Sequence, residues 1–300
     1  LHISSFAVSD PFDFHHTIEH AFDVARRSKM TDLVIDLSLN GGGSLCYAFA
    51  LLNYTGLANK EHIGFYTVNA ESQLTQAMAR AGSGRDDTTY SSGSYRDSVT
   101  KQVYTDDSWF FPLKERVEQQ HRRVESQRVF TFADCPSTAF NATANQLYTW
   151  PNIHIVSRGH CGSTCAIFMD YAAQSPHART VGIAQSDKSD AVLSSFAGGN
   201  VVACKEFLNE IEQLKKPKAN ASKESILGAK QLATGAFVPQ PSSHCPNCCR
   251  LPVTQIYSRN PDLTPELPLE FQVVAPDVPI FLNQSEAMNF GSYWERVIAL

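Results

Sequence analysis

The sequence has no long hydrophobic run, no excess of basic residues and no internal repeat. Its longest strongly apolar stretch runs from Cys46 to Leu52, far short of the roughly 20 residues that a membrane-spanning helix needs. A formal net charge of −5 argues against the basic surface of a nucleic-acid-binding protein. With 43% hydrophobic and 18% charged residues, the chain is predicted to be a soluble globular protein with a sizeable core.

The chain also lacks an initiator methionine, and no signal segment precedes Leu1. We therefore expect a processed or excised form of a longer chain, with any targeting signal outside it. Its 300 residues fit one large domain or two smaller ones.

Cysteine, in contrast, is plentiful. Its eight residues allow four disulfides, although the sequence does not select among the possible pairings. Sequons for asparagine-linked glycosylation begin at Asn53, Asn141, Asn220 and Asn283. Together these features predict an oxidising environment, and hence a secreted or secretory-pathway glycoprotein with disulfide bonds. The cysteines are at positions 46, 135, 161, 165, 204, 245, 248 and 249.

Hydrophobic spacing predicts alternating helices and strands, and hence an α/β fold in which helices pack on a sheet. Helices are predicted over 17–29, 44–53, 166–174 and 204–214. Strands are predicted over 33–37, 152–157, 180–184, 271–274 and 280–282.

The middle of the sequence has weaker patterns. Residues 82–98 are polar and rich in glycine and serine, which predicts a mobile loop. Residues 110–128 are compatible with a charged helix that has a thin apolar stripe. We interpret residues 62–148 as an insertion within a single catalytic domain of residues 1–300. It forms either a loop or helical cap over the active-site groove or a surface excursion.

Ser163 is the main candidate for catalysis. It follows the predicted strand 152–157 and a glycine-bearing turn, and it precedes a predicted helix. At such a corner the serine hydroxyl is exposed beside the free N–H groups of the first helical turn, as a nucleophile requires. The alternative is that Ser163 only caps the helix.

A second stretch, LVIDLSLNGGG at residues 33–43, would complete the site. The predicted strand contains Asp36 and runs into Asn40 and three glycines, which allow the backbone to approach a ligand closely. The N–H group of Thr164 and that of Gly41 or Gly42 would then form an oxyanion hole.

The stretches LVIDLSLNGGG and HIVSRGHCGSTCAIFMDYA together resemble the C-terminal-processing, or tail-specific, serine protease family. Its members carry a D-L-R-x-N-G-G-G strand, with Ser38 here in place of the arginine, and a later strand, small-residue turn and catalytic serine. Ser-Thr-Cys at residues 163–165 and PLEF at residues 268–271 look most like a eukaryotic, largely fungal-type branch. The resemblance covers residues 1–60 and 150–200 well and residues 265–300 loosely.

This resemblance implies a ClpP/crotonase-like β-spiral core with flanking helices and a large insertion. It implies a serine endopeptidase that forms an acyl-enzyme on Ser163 and acts on polypeptides, with no cofactor, no metal and no nucleic-acid partner. The substrate would lie as an added strand beside the glycine-triplet strand. The PDZ module of bacterial members is not visible in the sequence.

The general base has two candidates. Bacterial relatives have a lysine about 25 residues beyond the serine, and the resemblance places it at Lys188. A lysine acts as a base only if its pKa falls, which the neighbouring Asp187 and Asp190 would oppose. The family's glutamine four residues further on is absent. His160, three residues before Ser163, is the second candidate, because histidine is the side chain that most often serves as a general base.

The remaining cysteine and histidine motifs allow more than one interpretation. Cys161 and Cys165 bracket Ser163 and would rigidify the turn through disulfides to other segments, pack as small hydrophobes, or supply a cysteine nucleophile. The HCPNCC motif at residues 244–249 has zinc-compatible spacing. No second ligand pair is evident, so a disulfide-stapled loop is the preferred interpretation.

Two other functions compete with the peptidase. The first is a catalytically inactive relative that binds lipid or peptide or serves as a scaffold, as the interphotoreceptor retinoid-binding proteins carry lipid. The missing glutamine favours it. The second is acyl-CoA chemistry on a crotonase core, which requires a basic pocket, and no cluster of lysine and arginine flanks residues 41–43. Oligomeric state and cleavage specificity stay open.

Overall fold

The computed structural model describes residues 1–57, 65–69, 71–118, 121–131, 135, 148–184, 191–195, 199–234, 250–257, 268–289 and 291–300. The chain divides into two compact units. The first comprises residues 1–63, 133–197 and 271–300, and the second comprises residues 64–132 and 198–270. The predicted insertion at residues 62–148 therefore contains the first segment of the second unit, together with residues 62–63 and 133–148 of the first unit.

Eight α-helices and ten strands are formed by the residues that the structure describes. The helices are α1 (Pro11–Ser28), α2 (Leu45–Thr55), α3 (Gln73–Ala81), α4 (Thr164–Ala173), α5 (Cys204–Leu214), α6 (Lys223–Ala233), α7 (Gln284–Met288) and α8 (Trp294–Ile298). The strands are β1 (Asp32–Asp36), β2 (Phe65–Val68), β3 (Lys114–Glu118), β4 (His121–Glu125), β5 (Val129–Thr131), β6 (Asn152–Ser157), β7 (Ala178–Ala184), β8 (Gly199–Ala203), β9 (Arg250–Tyr257) and β10 (Val278–Phe281).

The first unit is built on a parallel four-stranded sheet. Its order is β1–β6–β7–β10, so strands that follow one another in this unit also lie side by side. Parallel strands of this kind need helical crossovers, and α4 supplies the one between β6 and β7. The structure thus confirms an α/β fold with helices packed on a sheet, while the finer β-spiral topology stays a prediction.

Two helices of the first unit have clear sequence signals at their ends. Asp10 accepts hydrogen bonds from the N–H groups of Phe12 and Asp13, so α1 begins earlier than the apolar spacing alone predicts. Ser44 caps α2, and Gly56 ends it with a φ of 75°. Nearly all of α2 is buried, which explains its almost continuous apolar sequence.

The second unit contains an antiparallel sheet in the order β5–β2–β9–β8 and a separate hairpin of β3 and β4. The hairpin corrects the charged helix predicted over residues 110–128. That stretch has too few apolar residues to give a helix a buried face, and its backbone pairs as two short strands instead. Lys114 lies opposite Glu125 in the register.

Residues 82–98 form irregular turns and one short 3₁₀ turn, and they are packed rather than loose. Tyr90 and Tyr95 are almost fully buried, and the Tyr95 ring stacks on Trp109 with 4.0 Å between centroids. Aromatic residues within the polar stretch therefore fix it to the core, contrary to the mobile loop that its composition predicts.

The last predicted strands also change. Leu269–Phe271 is a 3₁₀ turn, and residues 272–276 are irregular, so the strand predicted over residues 271–274 is wrong. The final strand of the sheet is β10, which begins two residues before the predicted start. No helix among the described residues is long and apolar enough to cross a membrane.

Candidate active site

The two sequence motifs meet because β1 and β6 are adjacent parallel strands. Their register pairs Asp36 with Val156, so the bend at residues 37–43 and the turn at residues 158–163 leave the sheet at the same edge. The carboxyl ends of neighbouring parallel strands are the usual position of a ligand site in such sheets. The predicted proximity of Ser163 and the glycine triplet is therefore a consequence of the topology.

Direct contacts join the bend to the turn. Gly162 donates its N–H to the carbonyl of Asn40 at 3.2 Å, and Thr164 Oγ1 donates to the carbonyl of Gly43 at 2.6 Å. A Cβ atom placed on Gly42 would lie 2.7 Å from Ser163 Cβ and 3.1 Å from the Thr164 nitrogen. The glycine at residue 42 is thus required by the close approach of the serine corner.

Ser163 has a strained backbone at the corner between β6 and α4. Its φ of 50° and ψ of −124° lie outside the regions that non-glycine residues prefer. Its side chain makes no capping hydrogen bond to α4, which removes the interpretation of Ser163 as a simple helix cap. Serine nucleophiles on strand-to-helix turns of α/β-hydrolases have the same kind of strained backbone.

A disulfide spans this corner. Cys161 and Cys165 are bonded to each other, a pairing that was not among the alternatives considered from the sequence, and both are fully buried. Cys165 also donates its N–H to the carbonyl of Gly162. The disulfide and this hydrogen bond enclose Ser163 in a small ring that limits its backbone. A cysteine nucleophile at either position is incompatible with the disulfide.

The three glycines of the bend have different surroundings. Gly42 faces Ser163, whereas a Cβ on Gly43 would lie 2.1 Å from the backbone of Phe6 and Ala7. A Cβ on Gly41 would meet nothing within 4 Å. The Gly42 N–H already donates to Asn40 Oδ1 at 2.8 Å, so of the two predicted oxyanion donors on the bend, Gly41 is the one without a partner among the described residues.

The edge of β1 is occupied by the beginning of the chain. Ile3 donates to the carbonyl of Asp36 at 2.9 Å, and Phe6 donates to the carbonyl of Gly42 at 2.8 Å. Asn40 Nδ2 donates to the carbonyl of Ile3 at 2.9 Å. The expectation that substrate adds as a strand beside the glycine-triplet strand is therefore wrong for this edge, because the backbone groups there are already paired.

A buried carboxylate stands at the start of the bend. Asp36 is fully buried, and it accepts hydrogen bonds from the Ser38 N–H at 2.9 Å, Tyr293 Oη at 2.5 Å and Trp294 Nε1 at 2.9 Å. Burial alone would raise the pKa of this carboxyl, but these hydrogen bonds outweigh it and hold the pKa below its usual range. The sequence motif contains Asp36 without revealing these partners.

The two candidate bases lie on different segments of the chain. His160 is exposed, and neither it nor Ser163 Oγ has a side-chain hydrogen bond with any residue that the structure describes. Lys188 lies outside the described residues. The nearest described residues along the sequence are Ala184, at the carboxyl end of β7, and Ala191, which packs against Gly182. Both assignments stay predictions.

The remaining motifs are only partly visible. The HCPNCC motif at residues 244–249 lies outside the described residues. Cys46 is bonded to Cys135, and Cys204 is also in a disulfide, so each cysteine that the structure describes is oxidised. Within the described ranges, no three His, Cys, Asp or Glu side chains come together as a possible metal site.

No family model matches the chain, and no curated protein matches it. Among solved structures, a protein of Parabacteroides merdae provisionally named a peptidase overlays with a TM-score of 0.43 at 12% identity, covering 96% of this chain and 55% of its own. A serine-to-alanine mutant of CPAF overlays with a TM-score of 0.48 at 13% identity, covering 99% and 48%. Mature CPAF gives a TM-score of 0.43 at 14% identity, covering 93% and 46%. The chain spans about half the length of these structures, and overlap of this extent decides neither fold nor activity.

Proposed function

We propose that the chain is a serine endopeptidase of the tail-specific type, with Ser163 as the nucleophile. The observation that carries this proposal is the strained, uncapped backbone of Ser163, which is pressed against a glycine bend and enclosed by a disulfide. A purely structural serine at a helix start would normally accept a hydrogen bond from the first turn. Here the hydroxyl is left available instead.

The geometry supports an acyl-transfer reaction. Ser163 Oγ attacks the carbonyl carbon of a peptide bond and gives its proton to a general base, either Lys188 or His160. The oxyanion that forms is stabilised by the N–H of Thr164, in the first turn of α4, and by that of Gly41. The intermediate then expels the amine, which takes the proton from the base, and water hydrolyses the acyl-enzyme.

The proposal includes an extracellular or secretory location. Its support is that each described cysteine is in a disulfide, which persists in oxidising compartments and not in the cytosol. Two of the predicted glycosylation sequons begin at exposed residues, Asn220 and Asn283.

A fluorophosphonate probe tests the activity. It reacts covalently with an activated serine, so the folded wild-type protein should be labelled at one site and Ser163→Ala should not be labelled. Labelling identified on Ser163 by mass spectrometry supports the peptidase. Folded, fully processed protein that is not labelled would contradict it.

A second candidate is a catalytically inactive binder of lipid or peptide. It is favoured by one observation: Ser163 Oγ has no hydrogen-bonded base among the described residues. The probe separates the two functions, because a binder with an unactivated serine stays unlabelled. Lys188→Ala and His160→Ala then distinguish the two bases in a labelled protein, since only the loss of the true base should slow the reaction by 10²-fold or more.

A further inference from the structure

Tyr293 contacts both halves of the Ser163 site. Its hydroxyl donates to Asp36 and lies 3.4 Å from Ser38 Oγ, where the glycine-triplet bend begins. The guanidinium of Arg158, the first residue of the turn that leads to Ser163, lies over the Tyr293 ring at 5.5 Å from its centroid. One side chain from the end of the chain is therefore shared by the bend and the turn.

The neighbouring Trp294 strengthens this arrangement. Both its indole N–H and the Tyr293 hydroxyl donate to the same oxygen, Asp36 Oδ2, while the other oxygen accepts the Ser38 N–H. Tyr293 is fully buried and packs with Val34, Val156 and Val297. Hydrogen bonds to a buried carboxylate are stronger than those between neutral groups, so this cluster holds the start of the bend firmly.

The bend needs such support because its own backbone is strained. Leu39 has a φ of 67°, which a branched side chain rarely adopts, and its side chain is 55% exposed and packs little. The residues that follow it include Gly42, which lies against Ser163. A small shift at Asp36 or Ser38 would therefore move the backbone that faces the nucleophile.

We propose that Tyr293 is a positioning residue of the Ser163 site, and that with Trp294 it fixes the glycine-triplet bend against the nucleophile turn through Asp36 and Arg158. This role rests on the proposed peptidase function. It predicts that removal of the Tyr293 hydroxyl slows the reaction of Ser163 without changing its access to a ligand.

The experiment measures fluorophosphonate labelling of the full chain under saturating conditions, which separates the maximal rate of inactivation from the affinity for the probe. Tyr293→Phe should lower the maximal rate about tenfold or more, because a small misplacement of catalytic groups has effects of this size. The affinity for the probe should stay unchanged. Trp294→Phe removes one donor to the same carboxylate and should also lower the maximal rate. It replaces Tyr293→Phe in the experiment if that variant folds poorly.

Tyr54 provides a matched control in the same unit. It is also a buried tyrosine, and its hydroxyl lies 2.7 Å from His15 Nδ1. This hydrogen bond involves no residue of the bend. Tyr54→Phe should lose similar stability and keep the wild-type labelling rate. Equal labelling rates for Tyr293→Phe and wild type, or a loss shared equally by both tyrosine variants, would overturn the positioning role.

The role also has a test that does not depend on activity. Hydrogen exchange of the backbone amides of residues 37–43 should be faster in Tyr293→Phe than in wild type and unchanged in Tyr54→Phe. If wild type is not labelled, the peptidase proposal fails, and faster exchange in this segment still supports the positioning role. Unchanged exchange overturns it.

Discussion

Gly42 and Ser163 lie so close together that a single methyl group on the glycine would come within 2.7 Å of the serine Cβ. The contact joins residues that follow two different strands, and it leaves no room for a side chain at residue 42. Gly41, its neighbour, has open space where a Cβ would be. The pair offers a direct test of the site.

Gly42→Ala should abolish labelling of Ser163 by a fluorophosphonate, because the added Cβ would push the bend away and the φ of 106° at this residue disfavours alanine. Gly41→Ala keeps the N–H group and adds a methyl into open space, so it should lower the labelling rate less than Gly42→Ala does. Similar losses in the two variants would contradict the assignment of Gly42 as the contact residue.

Replacement of Ser163 should remove labelling without lowering the free energy of unfolding. Ser163→Gly relieves the positive φ and should raise the free energy of unfolding by about 1 kcal/mol, while Ser163→Ala should leave it nearly unchanged. Ser222 is the control, since its side chain caps α6 by accepting from the Ser225 N–H. Ser222→Ala should lose about 1 kcal/mol in urea unfolding. A comparable loss in Ser163→Ala would show that Ser163 is a structural cap.

The two described disulfides should differ in what their removal affects. Cys161→Ala/Cys165→Ala opens a ring with a sequence separation of only 4, so the free energy of unfolding should fall by about 2 kcal/mol in the chain-entropy model. Because the ring encloses Ser163, the labelling rate should fall at least about tenfold. Cys46→Ala/Cys135→Ala opens a sequence separation of 89 and should lower the free energy of unfolding by about 4.6 kcal/mol in the same model.

The labelling rate of the second double variant, measured where the protein is still folded, should stay near wild type. Thermal unfolding and labelling kinetics on both variants check this contrast. If the variant lacking the Cys161–Cys165 disulfide labels at the wild-type rate, the ring does not constrain the nucleophile.

The second unit should show a pH dependence that originates at Glu210. Burial raises the pKa of its carboxyl, although the Tyr90 N–H donates to it at 2.9 Å. A raised pKa in the folded state means that the stabilising contribution is present below the unfolded pKa and is lost as the pH rises through the folded pKa.

Glu210→Gln should therefore become more stable relative to wild type as the pH increases from about 4 to 8, because the amide keeps an acceptor oxygen and carries no charge. Urea unfolding at several pH values measures the difference. Glu212→Gln, at an exposed residue of the same helix that pairs with Lys215, is the control and should show a much weaker trend. A difference that is constant with pH would contradict the effect of burial at Glu210.

Three of the four predicted sequons begin at described residues, two of them exposed and one buried, and the sequon at Asn141 lies outside the described residues. Asn220 is exposed in the turn between α5 and α6, whereas Asn53 is buried within α2. After expression through a eukaryotic secretory pathway, we expect a glycan on Asn220 that Asn220→Gln removes, and none on Asn53. Peptide mass spectrometry before and after treatment with a peptide N-glycosidase checks both. A glycan on Asn53 would contradict the burial of that helix.

Part of the first unit can be predicted from the sequence, because β1 and β6 are short, mostly buried and followed by glycine-containing turns. The bend at residues 37–43 and the corner at Ser163 were expected to meet, and the pairing of Asp36 with Val156 explains why they do. The pairing of Cys161 with Cys165 could not be chosen from spacing alone, since many partners were possible.

Tyr293 shows what local patterns cannot reveal. It is separated from Asp36 by 257 positions, and a tyrosine near a chain end carries no signal that its hydroxyl binds a buried carboxylate. The helix predicted over residues 110–128, where β3 and β4 form a hairpin, was wrong for a different reason. Its charged residues have good helix propensity, and only the lack of an apolar face to bury decides for strands.

The position of Tyr293 also has a consequence for biosynthesis. Ribosomes make Asp36 and Ser163 well before Tyr293, and chains fold progressively from the amino end as they emerge. On the proposed function, a nascent polypeptide would hold Ser163 in an incomplete site until the segment with Tyr293 and Trp294 had emerged and packed against Asp36. The serine would thus gain its full reactivity later than β1 and β6 pair.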